Sequence, residues 1–411
     1  FSLLFWNITP YTFAETITTD GGTIDINTQD NVTTWNVTGN PVWNVPTFNL
    51  AEGNTLNMTG LTNGASLALL VNGGSSSNVF GTMNINNLAF ILQNVYGINI
   101  GQTGLVNLSN ASMIASTLPL NLNSTNFLTR DYKFESQGQT NGYILNEGRI
   151  LGQSGDLAAL VGNAIENRGT IEVPMGTVAL AAGDVVTVGI SPDGLVSIGV
   201  DRETAHQIFD NDGTLVKDQI KNTGKISANG GKVILNAQAI DNLFEKAINL
   251  TNAPNATGAV VAENGVIEFV SEGVIENQGT IRADLLYEHG YTFRMGGVIE
   301  IGHAYIDNLD GASQILEGAT LSGTFTDGGT DGGNIFVLGN FSLSGDTVLQ
   351  ADADLDGVGR IDWSSSYTVT GNGYDLILQA SDDSTVGAIS GVKTLTLARN
   401  ESAQNLTDIV Y

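Results

Sequence analysis

The stretch Asn146-Glu-Gly148, with its later counterparts Asn167-Arg-Gly-Thr-Ile-Glu-Val173 and Asn222-Thr-Gly-Lys-Ile-Ser-Ala228, decides how this chain is read. Each copy is an Asn-x-Gly corner followed by a short run suited to a strand. Asn211-Asp-Gly213 and Asn277-Gln-Gly279 add two more copies, and the successive spacings are 21, 44, 11 and 55 residues. These lie near multiples of 11, which sets one coil at about 22 residues. Between the copies sit apolar stretches such as Val178-Ala-Leu-Ala181 and Lys232-Val-Ile-Leu-Asn236. One such coil cannot bury its apolar side alone. Stacked on its neighbours at about 4.8 Å per rung, it builds a parallel β-solenoid with a dry interior. The corners assign Asn and Gly to positions of positive φ, and the Asn amides to ladders along the stack. A β-sandwich also uses short strands and frequent turns, but the coil-length spacing favours the solenoid.

Composition agrees with that reading. Only 7 of 411 residues are Pro, as fits rungs that need their N–H groups. The 42 acidic and 15 basic residues give a net charge of −27, which excludes nucleic acid or an anionic membrane surface as the main partner. The absence of Cys removes disulfides, thiolate nucleophiles and Cys-ligated metals. No run reaches the roughly 18 apolar residues of a transmembrane helix, so membrane insertion is not expected. Lys and Arg are absent before Arg130, and the first third is polar through Asn, Thr and Ser that fill turns and ladders. Phe1 to Ala14 is apolar and uncharged. It reads as an ordered first strand or cap, with the tail of a signal segment as the alternative.

Two segments carry helical spacing and predict short helical excursions from the coil. They are Ala237 to Asn249, with Ile240, Leu243, Phe244, Ala247 and Ile248 on one side, and Asp201 to Phe209. After about Leu285 the Asn-x-Gly unit gives way to Gly/Asp turns, while runs such as Ile335-Phe-Val-Leu338 and Tyr374-Asp-Leu-Ile-Leu378 remain strand-like. The chain therefore divides into an apolar segment 1–15, a coil region 16–285, and residues 286–411. That last part is continued solenoid in preference to an appended β-domain.

Within Val79 to Thr117, the run Asn94-Val-Tyr-Gly-Ile-Asn-Ile-Gly101, the strand Leu105-Val-Asn-Leu108 and Ala115-Ser-Thr117 follow one another. This order resembles the filamentous-haemagglutinin-type two-partner-secretion domain. Asn94, Gly97, Ile98, Gly101, Val106 and Asn107 match that family's secretion-motif positions, while Val95 and Tyr96 replace the Pro and second Asn of its signature turn. Gly176-Thr-Val-Ala-Leu-Ala-Ala-Gly-Asp184 and Gly230-Gly-Lys-Val-Ile-Leu-Asn-Ala-Gln238 are similar to the family's coils. The resemblance implies a right-handed parallel β-helix. It also implies a secreted exoprotein delivered through an outer-membrane transporter partner, acting as an adhesin or as part of a surface fibre.

Parallel β-helices also host polysaccharide-processing enzymes, which is the alternative function. Such enzymes need paired carboxylates or acidic calcium ligands. The best acidic cluster, Asp307-Asn-Leu-Asp310 beside Gly302-His303, reads as turn residues. His206, His289 and His303 form no His-x-x-x-His pair, and no nucleophile elbow, Walker loop or dinucleotide fingerprint occurs. Asp352, Asp354 and Asp356 open like a calcium loop, but Trp363 stands where the bidentate Glu belongs. They read as a solvated corner, with Ca²⁺ binding as the alternative. Asn-x-Ser/Thr sequons at Asn7, Asn31, Asn36, Asn57, Asn107, Asn110, Asn123, Asn249, Asn255, Asn340, Asn400 and Asn405 are glycosylation candidates consistent with export. Trp35 and Trp43 read as packing for the first rung, with sugar stacking as the alternative. The expectation is a non-enzymatic extracellular surface protein. Its partners would be copies of itself, joined through Phe1–Ala14 and Asp408–Tyr411, or cell-surface glycans.

Overall fold

The computed structural model describes residues 12–19, 21–121, 129–136, 142–191, 195–210, 212–251, 258–308, 313–328, 334–351, 359–363, 366–381 and 384–399. Three faces of parallel strands wind around one interior. The first face stacks Thr55–Gly60, Thr82–Asn86, Leu105–Ser109, Arg149–Leu151, Thr170–Glu172 and Lys225–Ser227 in register. The second stacks Ser66–Val71, Ala89–Asn94, Ser112–Ser116, Leu157–Gly162, Thr177–Ala182 and Lys232–Ala237. The third is a 12-stranded parallel sheet running from Asn49–Leu50 to Ile361–Trp363. At Ala259–Ser271 the first two faces merge, since this one strand pairs with both Lys225–Ser227 and Lys232–Ala237. Thr280–Gly290, Val298–Asn308, Ala319–Asp327 and Phe341–Ala351 continue the merged sheet, and irregularities in register fall where it bends. The fold is a right-handed parallel β-helix: the period predicted the parallel solenoid, and the resemblance implied its hand.

Alternation makes the interior. In Thr55–Gly60 the inward Leu56 and Met58 are fully buried while their neighbours are half-exposed. Repeating this on three sides gives one continuous core from Ile24 to Ala380. At the N-terminal end, Thr12–Thr19, Gly22–Gln29 and Val32–Gly39 form an antiparallel meander whose last strand pairs in parallel with Thr55–Gly60. Trp35 lies in that last strand, 1% exposed, with Trp43 edge-on at 5.3 Å and Phe48 at 6.2 Å. This aromatic group closes the core beneath the meander, so the packing role assigned to the two tryptophans is the one their geometry supports.

The second face breaks the alternation. Val178, Ala179, Leu180 and Ala181 are all buried. A three-stranded antiparallel sheet, Asp131–Glu135, Val185–Ile190 and Val196–Arg202, lies against the outer side of this face. Its Tyr132, Phe134, Val186 and Val188 pack on Ala68, Ile91, Ile114, Ala159, Ala179 and Ile234. A strand covered on both sides reads as an unbroken apolar run, which is why these stretches lack polar outward positions.

Several expectations need correction. The segment Ala237 to Asn249 is not a helix: it joins the end of strand Lys232–Ala237 to Lys246–Leu250 through turns. Asp201 to Phe209 is likewise extended or irregular, starting in strand Val196–Arg202 and bridging Thr204 to Ala239. In both, pairing with neighbouring rungs satisfies the backbone that a short helix would otherwise satisfy alone. The coil period is also less regular than the spacings implied. Adjacent rungs are 18 residues apart at Glu276 and Arg294, 21 at Asn146 and Asn167, and 55 at Asn167 and Asn222, where two covering strands are inserted. Asn211-Asp-Gly213 is no coil corner either. Gly213 closes a surface turn on Asp210, and Asn211 itself lies outside the described residues. Of the two expected joints, residues 1–11 and Asp408–Tyr411 are outside them as well.

Candidate functional site

The residues proposed to match the secretion motif lie at two corners of one coil and in the strands that follow them. At the first, Asn94 ends a strand of the second face and its buried side chain reaches down the stack. Its Nδ2 donates to Ser75 O and to Ser77 Oγ, each at 2.9 Å. Its Oδ1 accepts from the Tyr96 amide at 3.0 Å, and Gly97 N donates to Asn94 O at 3.1 Å. Gly97 has φ +118°, a conformation open to glycine and strained for other residues. Val95 is half-buried and Tyr96 is 50% exposed. The two departures from the family's turn thus fall on its outer side, while the turn's own hydrogen bonds come from the retained Asn94 and Gly97.

From this turn Ile98 enters the third face, fully buried, and Gly101 follows the end of that strand at Ile100. A Cβ on Gly101 would lie 2.1 Å from the Phe80 ring, so glycine there makes room for an aromatic from the coil below. Val106 then points into the core, and the outward Asn107 donates from Nδ2 to Asn84 Oδ1 at 2.8 Å. Asn84 in turn donates to Asn57 at 2.8 Å, and Asn110 donates to Asn87 at 2.8 Å. The Ser116 hydroxyl and Leu118 backbone close the following corner, with Thr117 Oγ1 donating to Gly142 O at 3.1 Å.

The Asn-x-Gly corners lie further along, where the third face turns into the first. Asn146, Asn167, Asn222 and Asn277 are fully buried. Asn146 Nδ2 donates to Asn167 Oδ1, and Asn167 Nδ2 to Asn222 Oδ1, both at 2.7 Å. Their glycines do not need positive φ, contrary to the sequence reading: Gly148, Gly169 and Gly224 are absent from the positive-φ residues. They are glycine because rungs touch there. A Cβ would lie 2.4 Å from Gly104 O at Gly148, 2.0 Å from Gly148 O at Gly169, and 2.0 Å from Gly169 O at Gly224.

Outside this column, the third face carries an ionic cluster that no motif announced. Tyr143 donates its hydroxyl to Glu166, Arg168 clamps Glu166 with Nε and Nη2 at 2.9 Å each, and Lys221 Nζ stands 3.3 Å away. Burial raises the Glu166 carboxyl. The hydrogen bonds from Arg168 and Tyr143 and the charge of Lys221 outweigh it, and the group ends below the usual range. Glu166 and Lys221 are register partners on neighbouring rungs, a pairing that only the 55-residue coil reveals.

The remaining candidates are scattered. Asp352, Asp354 and Asp356 lie outside the described residues, as do Asn7, Asn123, Asn255, Asn400, Asn405 and Asp310. Among the described sequons Asn31, Asn110 and Asn340 are exposed and Asn36, Asn57 and Asn107 half-buried, whereas Asn249 is buried and donates to Asp218 at 2.7 Å. Among the described residues no three His, Asp or Glu converge as metal ligands. His206 Nδ1 is 3.6 Å from Asp184 Oδ1, and Asn163 already donates to that oxygen at 2.7 Å. On the outer side of the merged sheet, Tyr287 and Tyr305 sit on adjacent rungs, 36% and 43% exposed. Their ring centroids are 5.3 Å apart and tilted by 12°. His303 lies parallel to Tyr305 at 4.1 Å, and His289 meets Asp307 at 3.2 Å beside them.

The comparisons with known proteins settle the family. The model of the TPS secretion domain matches residues 10–283, well over half of the chain. The protein belongs to the TPS secretion-domain family. Two solved structures match this TPS protein, and the first shares its fold. The HMW1 secretion domain from Haemophilus influenzae has TM-score 0.53 and 16% identity over 94% of this chain and 99% of that one. A filamentous hemagglutinin secretion domain has TM-score 0.35 and 12% identity over 97% and 98% of the two chains. The comparison with curated proteins returned no match. Family membership makes this a secreted two-partner-secretion β-helix, with an outer-membrane transporter as its export partner.

Proposed function

We propose that this TPS protein is a non-enzymatic adhesin that presents its β-helix at the cell surface and contacts glycans through the merged sheet. The observation that carries this reading is the exposed pair Tyr287 and Tyr305, with half-buried His303 against the second ring. A pyranose has apolar C–H faces that stack on aromatic rings, and hydroxyls that pair with imidazole and carboxylate groups. Tyr287 and Tyr305 offer nearly parallel rings, and the His289–Asp307 pair supplies polar atoms next to them. The net charge of −27 favours neutral over anionic sugars. A secretion-domain family and a side wall made of Asn and ion-pair ladders both support display in preference to catalysis.

The test is a glycan array with the folded protein and with the double variant Tyr287→Ala/Tyr305→Ala. Binding to neutral glycans that the double variant loses, at unchanged melting temperature, supports the adhesin. Absence of binding by the parent chain, or binding untouched in the variant, overturns it. Occupancy of the exposed sequons Asn31, Asn110 and Asn340 belongs to the same proposal. Intact mass before and after glycosidase treatment measures it.

A further inference from the structure

The TPS match ends at residue 283, yet the stack of rungs continues without a break. The strand that crosses this boundary, Thr280–Gly290, carries an acid where the pattern calls for an apolar side chain. Register sets Phe269, Glu288, Ile306 and Asp327 in one inward column on successive rungs. Glu288 and Asp327 are both 0% exposed. Asp327 accepts from the Ser313 amide at 3.3 Å. Among the described residues neither carboxyl oxygen of Glu288 has a partner at hydrogen-bonding geometry. The side chain is folded against the next corner, where a Cβ on Gly290 would lie 2.2 Å from Glu288 Oε1.

Among the described residues no cation answers this acid. The charged groups acting on it are Asp327 and Asp307, both of its own sign. The basic residues on surrounding strands point outward into other pairs: Lys232 with Glu268, Lys246 and Arg294 with Glu276, and Arg282 with Glu300. His289, next in the chain, faces solvent against Asp307. Burial, then Asp327 and Asp307, hold the Glu288 carboxyl well above the ordinary range, although the Asp307 backbone favours the charge. A raised folded value means that the native state keeps a proton the unfolded chain has released. Stability is therefore fully present below the unfolded value, about 4.5, and falls as pH rises toward the folded one.

We propose that Glu288 makes the coils following the TPS match an acid-tightened segment, closed when the carboxyl is protonated and loosened when it ionises. The coils before it hold throughout. A solenoid permits this, because each rung depends chiefly on its immediate neighbours and opening can stay local.

The experiment is amide hydrogen exchange on the intact chain at pH 5 and pH 8, each corrected for intrinsic exchange. Peptides within 280–308 and 319–327 should lose at least about tenfold in protection at pH 8, while peptides within 157–182 should not change. In Glu288→Gln, and independently in Glu288→Leu, protection at pH 8 should equal that at pH 5. Protection that is independent of pH in the parent chain overturns the proposal. So does a pH dependence that survives in whichever of the two variants folds.

Discussion

Asn146 Nδ2 donates to Asn167 Oδ1 at 2.7 Å across one rung, inside the solenoid and away from water. The bond divides the labour of the Asn-x-Gly corner. Asparagine satisfies buried polar groups along the axis, while the glycine two places on lets the neighbouring backbone approach. Together they fix the corner at which the third face becomes the first. The ladder also shows where it is dispensable, because Leu250 occupies the same column between Asn222 and Asn277. There an apolar side chain replaces an amide and leaves fewer polar atoms to satisfy.

Replacing Asn167 by Ala should be costly out of proportion to its size. It strips the partner from Asn146 Nδ2 below and from Asn222 Oδ1 above, both buried. Leaving two such groups unsatisfied costs about 2–4 kcal/mol. The outer ladder gives the control. Asn84→Ala breaks bonds to Asn57 and Asn107 that water can replace, and should cost about 1 kcal/mol or less. Urea unfolding midpoints of the two variants check the order, and equal losses would contradict the ladder argument.

Gly169→Ala and Gly155→Ala separate two reasons for glycine. At Gly169 the new methyl meets the carbonyl of Gly148 at 2.0 Å, so the rungs themselves must part. The expected cost is about 3 kcal/mol, the upper end of overpacking. At Gly155 nothing lies within 4 Å, but φ is +83°. The penalty there is backbone strain alone, about 1–2 kcal/mol. Thermal melts of both variants decide it, and Gly155 proving the worse would reverse the assignment.

The sequence showed the solenoid because two of its devices are local. Asn and Gly recur at corners, and Leu56 or Ile171 alternate with polar neighbours. It misjudged Ala237 to Asn249 because Ile248 and Leu250 take their inward places from strand pairing, while Ile240 is exposed in the connection. Apolar residues at helical spacing were there by coincidence of a turn between two strands. The covering sheet was legible in principle, since Leu157–Gly162 and Thr177–Ala182 have apolar or small residues at nearly every position. Its partner strands, however, come from distant insertions that no period marks. The Asn94 turn was found through its motif, but its hydrogen bonds to Ser75 and Ser77 required the stack. Glu288 was unreadable as a buried acid. Flanked by Tyr287 and His289, it looks like any polar residue of an exposed strand.

The covering sheet should behave as a separable layer. Phe134 is fully buried between it and the second face. Phe134→Ala opens a cavity worth about 3–5 kcal/mol. Because the layer adds to a core that is complete without it, the loss should appear locally. Hydrogen exchange should rise in 131–135, 185–190 and 196–202 while 165–172 stays protected. Uniform loss of protection would show instead that the layer and the solenoid fold as one unit.

Acid should find the ionic cluster on the third face. Glu166 titrates below the ordinary range in the folded chain, since Arg168, Tyr143 and Lys221 outweigh its burial. A depressed folded value gives stability that is present above the unfolded value near 4.5 and lost as pH falls through the folded one. Glu166→Gln keeps the shape, removes the charge and weakens the clamp from Arg168. At pH 7 it should cost about 2 kcal/mol, the scale of hydrogen bonds to a charged group. Arg168 is half exposed, so solvent screening keeps the figure modest. Melting curves between pH 7 and pH 3 should show the difference from the parent chain shrinking toward acid. That trend is opposite in sign to the one assigned to Glu288, so both variants should converge on the parent curve toward acid but from opposite sides, Glu166→Gln less stable than the parent at neutral pH and Glu288→Gln more stable. A difference for Glu166→Gln that stays constant with pH would mean the cluster acts through packing, with no part played by its charge.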